Sequence, residues 1–115
     1  MFDFEVVKKQ IEDGWDGSHC YYSKEEMQKI FEYFYKGYEK TFGKHHPFLK
    51  LKTIEKVIDN IIGFAAIYDL EFENIFPMID KYFDTRILNC DYSIVHFSQE
   101  KILENRYYEV VYQKL

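Results

Sequence analysis

Residues 52–68 read KTIEKVIDNIIGFAAIY, and this stretch decides the predicted fold. Its apolar residues recur at spacings of three and four, which places one set on a single helix face: Ile54, Val57, Ile58, Ile61, Ala65 and Tyr68. In the second half of the stretch, further apolar residues cover the other directions: Ile62, Phe64, Ala66 and Ile67. A helix that is apolar all round is normally buried. We therefore expect residues 52–68 to form the central helix of the protein.

Helical patterns continue on both sides of this stretch. Ser23 and Glu26 form a capping box, which predicts the start of a helix that Gly43 would end. Gly37 lies on the apolar face of that helix and suggests that a neighbouring helix approaches closely. A shorter helix is predicted over residues 2–13. Another is predicted to end at about residue 84, and Pro77 lies either in its first turn or at a kink within it.

The sequence after residue 91 allows two interpretations. Residues 91–97 fit either a strand or a buried helical turn. Residues 107–112 are rich in residues that favour strands, but a helix with Ser98 as its N-cap is preferred because four residues share one face: Leu103, Tyr107, Val110 and Val111. The predicted fold is all-α, a compact bundle of four or five helices around residues 52–68. One domain is predicted to span residues 1–115. The alternative after residue 91 is a short β element.

Composition and charge restrict the class of protein. The 115 residues are 47% hydrophobic and 30% charged, which is typical of a folded domain and not of a disordered chain. The first ten residues lack a secretory signal pattern, and no apolar run approaches the roughly 20 residues that span a bilayer. We expect a cytoplasmic protein, with Cys20 and Cys90 reduced and no membrane partner.

No motif indicates catalysis. The common nucleotide-binding, zinc-protease, hydrolase and dithiol motifs do not occur in the sequence. His45 and His46 are adjacent, so their side chains should point in different directions, and a solvated loop is favoured over a zinc site. The remaining candidate ligands lack the paired spacing of a metal site: His19, Cys20, Cys90 and His96. A nucleophile formed by Cys20 and His19 is disfavoured because adjacency does not make the two side chains face each other. We expect no enzyme activity, no metal and no cofactor.

The net charge of −5 is distributed in segments, with seven lysines against three acids in residues 27–56 and seven acids against two bases in residues 57–91. The leading hypothesis is a binding protein whose carboxylates replace phosphates on a basic partner surface. Its candidate contact residues combine aromatic anchors with acids: Trp15, Tyr33, Tyr35, Asp69, Glu71, Glu73, Asp80 and Asp84. The alternative is an accessory or replication factor that contacts nucleic acid directly through residues 36–56, mainly by Lys44, Lys50, Lys52 and Lys56. The overall negative charge favours the first hypothesis and makes nucleic acid the less expected partner.

Two stretches of the sequence resemble small proteins carried by phages and mobile elements of low-GC Gram-positive bacteria. They are residues 46–60, HPFLKLKTIEKVIDN, and residues 76–80, FPMID. Anti-CRISPR proteins are among these small proteins. The resemblance implies a non-catalytic, often acidic inhibitor that binds a bacterial immune effector, such as a CRISPR effector, on its nucleic-acid or partner surface. Because such proteins share no common motif, the resemblance assigns no role to any single residue.

Overall fold

Residues 4–15 and 21–112 are described by a computed structural model. These residues form six α-helices and one 3₁₀ turn: α1 (Phe4–Asp13), α2 (Lys24–Phe42), α3 (Leu51–Tyr68), the turn Phe72–Asn74, α4 (Ile75–Asp84), α5 (Ile94–Phe97) and α6 (Glu100–Val110). Within the described residues there is no strand, so the prediction of an all-α bundle is confirmed. The four-residue α5 settles the open segment after residue 91 as a buried helical turn. The predictions on residues 1–3, His19 and Cys20 lie outside the described residues.

Local signals set both ends of α2. The Ser23 Oγ atom accepts a hydrogen bond of 3.0 Å from the Glu26 N–H, and the Glu26 carboxylate accepts one of 2.9 Å from the Ser23 N–H. At the other end, Gly43 adopts the left-handed conformation with φ of 68° and donates its N–H to the carbonyl of Glu39. These are the predicted capping box and the predicted glycine stop.

The helices pack through a shared aromatic core. α4 packs against both α2 and α6, while α1 packs against α2 and α3. The Phe34 ring of α2 lies 5.8 Å from the Tyr82 ring of α4 and 5.3 Å from the Phe97 ring of α5. A Cβ atom added at Gly37 would lie 3.0 Å from the Phe83 ring, so the predicted close approach of a second helix at this glycine is confirmed.

α3 is less enclosed than the sequence predicts. Ile61, Ile62 and Phe64 are buried, but Ala66 is exposed and Ile67 is 81% exposed. The neighbours of α3 are α1, α5 and α6, and they leave this edge of its second half uncovered. The prediction that the second half of residues 52–68 is buried on every side is therefore wrong for this edge.

The three C-terminal helices begin in different ways. Pro77 lies in the first turn of α4, where its missing N–H breaks no intrahelical bond, so the first of the two predicted alternatives is correct. The Ser93 hydroxyl caps α5 by accepting from the His96 N–H. Gln99, and not the predicted Ser98, is the N-cap of α6, because the Ser98 hydroxyl is buried and donates to the Val95 carbonyl at 2.8 Å.

Candidate functional site

Five of the predicted contact residues are carboxylates exposed between the end of α3 and the end of α4. We call them the acidic strip: Asp69, Glu71, Glu73, Asp80 and Asp84. Among the described residues, none of these carboxylates has a Lys, Arg or His nitrogen within 4.0 Å. The strip thus presents negative charge that no ion pair within the described chain neutralises.

Two tyrosine hydroxyls hold carboxylates of the acidic strip in place. The Tyr21 hydroxyl donates to the Asp69 carboxylate at 2.7 Å, and the Tyr33 hydroxyl donates to the Asp80 carboxylate at 2.7 Å. The hydrogen bond to Asp69 raises the pKa of Tyr21 to about 12, and the bond to Asp80 raises the pKa of Tyr33 above its usual range. Both hydroxyls therefore keep their protons at physiological pH and fix the orientation of the acids that they contact.

A continuous series of aromatic rings connects these two tyrosines. Neighbouring ring centroids in the series are 4.9 to 6.0 Å apart. The series runs in the order Tyr21, Tyr22, Phe72, Phe76 and Tyr33. The Tyr22 ring is buried, and its hydroxyl donates to the Leu70 carbonyl at 2.7 Å, which ties the series to the core. Aromatic pairs at this spacing add to stability beyond their buried area, so the acidic strip lies on a preorganised base.

A shallow groove of about 360 Å³ opens between α2 and α4 at the far end of the strip. It is lined by Gly37, Lys40, Thr41, Asp80, Phe83 and Asp84. The wall formed by Gly37 and Phe83 is apolar, while Asp80 and Asp84 supply carboxylates. Lys40 lines the same groove, so its polar lining combines two carboxylates with one ammonium group.

The three aromatic contact residues of the leading hypothesis differ in how far they are exposed. Tyr33 is 39% exposed, as predicted, and lies beside Asp80. Trp15 is half-buried and packs against the core, which agrees with a loop anchor. Tyr35 is 4% exposed, so its assignment as a partly exposed contact residue is wrong. The reason is that α1 and His46 cover the side of α2 that carries Tyr35.

The lysines of the alternative hypothesis, Lys44, Lys50, Lys52 and Lys56, are all exposed. They flank Phe48, which is 73% exposed between α2 and α3. Two other aromatic residues in or beside residues 36–56, Tyr35 and Tyr38, are buried, whereas Phe42 is 40% exposed. Phe48 is therefore the most exposed aromatic ring of this basic segment.

His46 is buried, contrary to the prediction of a solvated histidine pair. Its ring stacks on Tyr35 at a centroid distance of 4.2 Å and is 4% exposed. Its Nε2 atom lies 2.9 Å from the Ile94 N–H, and its Nδ1 atom lies 2.9 Å from the Pro47 carbonyl. A neutral imidazole with both nitrogens satisfied can be buried at little cost, whereas the adjacent His45 faces outward and approaches Glu39 at 3.4 Å.

A further cluster, which the sequence analysis did not identify, joins Tyr82 of α4 to His96 of α5 through Cys90. The Cys90 Sγ atom lies 3.1 Å from the His96 Nδ1 atom and 3.3 Å from the Tyr82 hydroxyl. The Tyr82 hydroxyl is also 2.8 Å from the same Nδ1 atom. No local motif encodes this cluster, since its members are separated along the chain and meet only because the 85–93 loop folds back.

The backbone of that loop is strained at Asn89 and Tyr92, whose φ angles are 55° and 56°. A bulky residue in the left-handed region costs about 1–3 kcal/mol. The Tyr92 hydroxyl offsets this cost by donating to the Thr85 carbonyl at 2.6 Å and accepting from the Ile87 N–H at 2.8 Å. The strained backbone aims the Tyr92 N–H at the Cys90 sulfur, 3.2 Å away.

Within residues 4–15 and 21–112, no group of three His, Cys, Asp or Glu side chains is placed to hold a metal ion. No helix in the same residues has the length and apolar character needed to cross a bilayer. Comparison of the chain with protein-family models, curated proteins and solved structures gave no significant match.

Proposed function

We propose that this protein is a non-catalytic inhibitor that binds a nucleic-acid-acting bacterial immune effector through the acidic strip. The observation that carries the proposal is the pair of hydrogen bonds from Tyr21 and Tyr33, which hold Asp69 and Asp80 in fixed positions on the surface. Carboxylates whose orientation is fixed before binding lose little conformational freedom when they contact a cationic surface. More of their interaction energy therefore contributes to affinity.

The charge of the strip suits a partner that normally binds phosphate groups. Such a partner presents Lys and Arg side chains, and exposed carboxylates without ion pairs within the described chain would attract them from a distance. The groove beside Phe83 would accept one of these side chains, since Asp80 and Asp84 are four residues apart on the exposed face of α4. The rings beneath the strip, including the half-buried Phe72 and Phe76, supply apolar contact area.

A second candidate function is direct binding of single-stranded nucleic acid by the basic segment. The observation in its favour is Phe48, exposed beside Lys44, Lys50 and Lys52. Stacking of a base on an aromatic ring combined with nearby lysines is the usual mode of such binding. The burial of Tyr35 and Tyr38 removes two rings from this surface, and the net charge of −5 opposes approach to a polyanion.

Affinity capture from a lysate of a Gram-positive bacterium that carries a CRISPR system tests the proposal. The unaltered protein should retain a nucleic-acid-binding protein, identified by mass spectrometry, and excess nucleic acid should displace it. Retention should persist after nuclease treatment of the lysate, because the contact does not require nucleic acid. A partner that is lost on nuclease treatment, or retained equally in the presence of competing nucleic acid, would contradict the proposal.

A further inference from the structure

Three hydrogen-bonding groups converge on the sulfur of Cys90. They are the Tyr92 N–H at 3.2 Å, the His96 Nδ1 atom at 3.1 Å and the Tyr82 hydroxyl at 3.3 Å. A neutral thiol has one proton and can donate to only one acceptor at a time. A thiolate accepts from several donors, so these positions suit the ionised sulfur once Nδ1 carries a proton.

The His96 ring is placed to take that proton. No described residue hydrogen-bonds to its Nε2 atom, whereas Nδ1 faces both Cys90 and Tyr82. Asp91 is the nearby acid. Its partial burial opposes ionisation, but hydrogen bonds from Ser93 keep its pKa below the usual range. Its carboxylate therefore carries a negative charge near the cluster.

We infer that Cys90 is a modification site, a thiol that His96 activates for reaction with small hydroperoxides. Cys90 and His96 are both half-buried, so a small oxidant such as hydrogen peroxide suits this thiol better than a protein thiol would. Tyr82 is fully buried and fixes the position of the other two side chains. This cluster is separate from the acidic strip and does not depend on the proposed function.

The reaction balances with the hydroperoxide as the only co-reactant. The Cys90 S–H bond breaks and its proton moves to His96 Nδ1. The sulfur then attacks one peroxide oxygen, an S–O bond forms, and the O–O bond breaks. The leaving hydroxide takes the proton back from His96 and departs as water. Sulfur is oxidised to the sulfenic acid while the peroxide is reduced.

The test measures the rate at which Cys90 reacts with hydrogen peroxide in the full-length Cys20→Ser protein, trapped with a sulfenic-acid reagent and read by mass spectrometry. The reference is the same protein unfolded in guanidinium chloride at the same pH. We expect the folded protein to react about tenfold faster than the unfolded protein, as for other activated thiols. The variant Cys90→Ser should give no signal.

Two variants identify the activating groups. His96→Gln should lower the rate in the folded protein to about that of the unfolded protein, while Tyr82→Phe, which retains the ring, should lower it only a few-fold. His45→Gln, which changes a histidine outside the cluster, should leave the rate unchanged. Circular dichroism establishes that each variant is folded. A folded parent that reacts no faster than the unfolded chain, or a folded His96→Gln that reacts at the parent rate, would overturn the inference.

Discussion

The Nε2 atom of His46 accepts a hydrogen bond of 2.9 Å from the backbone N–H of Ile94 and thereby joins the α2–α3 loop to the start of α5. Because Nε2 must offer a lone pair here, the neutral tautomer carries its proton on Nδ1 and donates it to the Pro47 carbonyl. Protonation of Nε2 would place its N–H group against the Ile94 N–H group, and two donors cannot form a hydrogen bond with each other. The bond therefore exists only while His46 is neutral.

This relationship predicts that stability falls in mild acid. Burial lowers the pKa of His46, although the Pro47 carbonyl and the charge of Asp91 oppose the shift. The unfolded chain then binds the proton more readily than the folded protein does, so the free energy of unfolding decreases as the pH falls through the ordinary histidine range. Urea unfolding at about pH 7.5 and about pH 5.5 measures the decrease on either side of the unperturbed histidine pKa.

The matched variant is His46→Gln, whose amide oxygen can accept from Ile94 but does not titrate. The free energy of unfolding should differ less between the two pH values in this variant than in the parent. An equal decrease in the variant and the parent would show that His46 does not cause the acid sensitivity.

The core predicts a contrast between two isoleucines of α3. Ile61 is 1% exposed and Ile67 is 81% exposed. Ile61→Ala should lower the free energy of unfolding by about 2–5 kcal/mol, since it removes buried methylene groups and leaves a cavity. Ile67→Ala should change it by less than about 0.5 kcal/mol, as at other surface sites. Chemical denaturation measures both, and similar losses at the two sites would contradict the packing of α3.

The hydroxyl of Tyr33 should matter for binding more than for folding. Tyr33→Phe keeps the ring against Phe76 but releases the Asp80 carboxylate. We expect binding to the captured partner to weaken by about threefold to tenfold, because the released carboxylate must be ordered again on binding. The loss of one exposed hydrogen bond should lower the free energy of unfolding by no more than about 1 kcal/mol. Tyr112→Phe, at a 57% exposed tyrosine outside the strip, is the control. Equal affinities of the two variants would show that the Tyr33 hydroxyl does not organise the strip.

Titration with labelled nucleic acid separates the two candidate functions. The proposed inhibitor should bind neither DNA nor RNA more tightly than about 10 µM at low salt, since its net charge repels phosphate. Fluorescence anisotropy makes the measurement. Tighter binding that Phe48→Ala weakens by about 1–3 kcal/mol, the value of one stacked base, would favour the basic segment.

Features that neighbouring residues encode could be predicted, and features that need distant residues could not. The ends of α2 follow from Ser23, Glu26 and Gly43, because caps are made within a few residues. The burial of His46 depends on Ile94, 48 residues away along the chain. No periodicity in the sequence carries that information.

The same distinction applies to the surfaces. The exposure of the acidic strip could be predicted from charge alone, but its hydrogen bond from Tyr21 to Asp69 spans 48 residues. The exposed edge at Ile67 escaped prediction because an apolar side chain does not reveal whether a neighbouring helix covers it. The Cys90 cluster escaped it because the strained φ of Tyr92 brings together residues that no motif groups.

Association kinetics with the captured partner test the central claim, that the position of the acidic strip and not the total charge determines binding. One variant neutralises the strip by Asp69→Asn, Glu71→Gln, Glu73→Gln, Asp80→Asn and Asp84→Asn. A second variant removes the same number of charges from exposed carboxylates elsewhere: Glu5, Glu12, Glu25, Asp59 and Glu100. A third replaces the lysines of the basic segment.

The strip variant should associate about tenfold to a hundredfold more slowly than the parent at low salt, and the difference should shrink as salt screens the charges. The second and third variants should stay within about threefold of the parent rate, since charges away from the contact surface steer the partner less than charges that face it. Equal slowing by the strip variant and the matched variant, or loss of binding only in the lysine variant, would contradict the account.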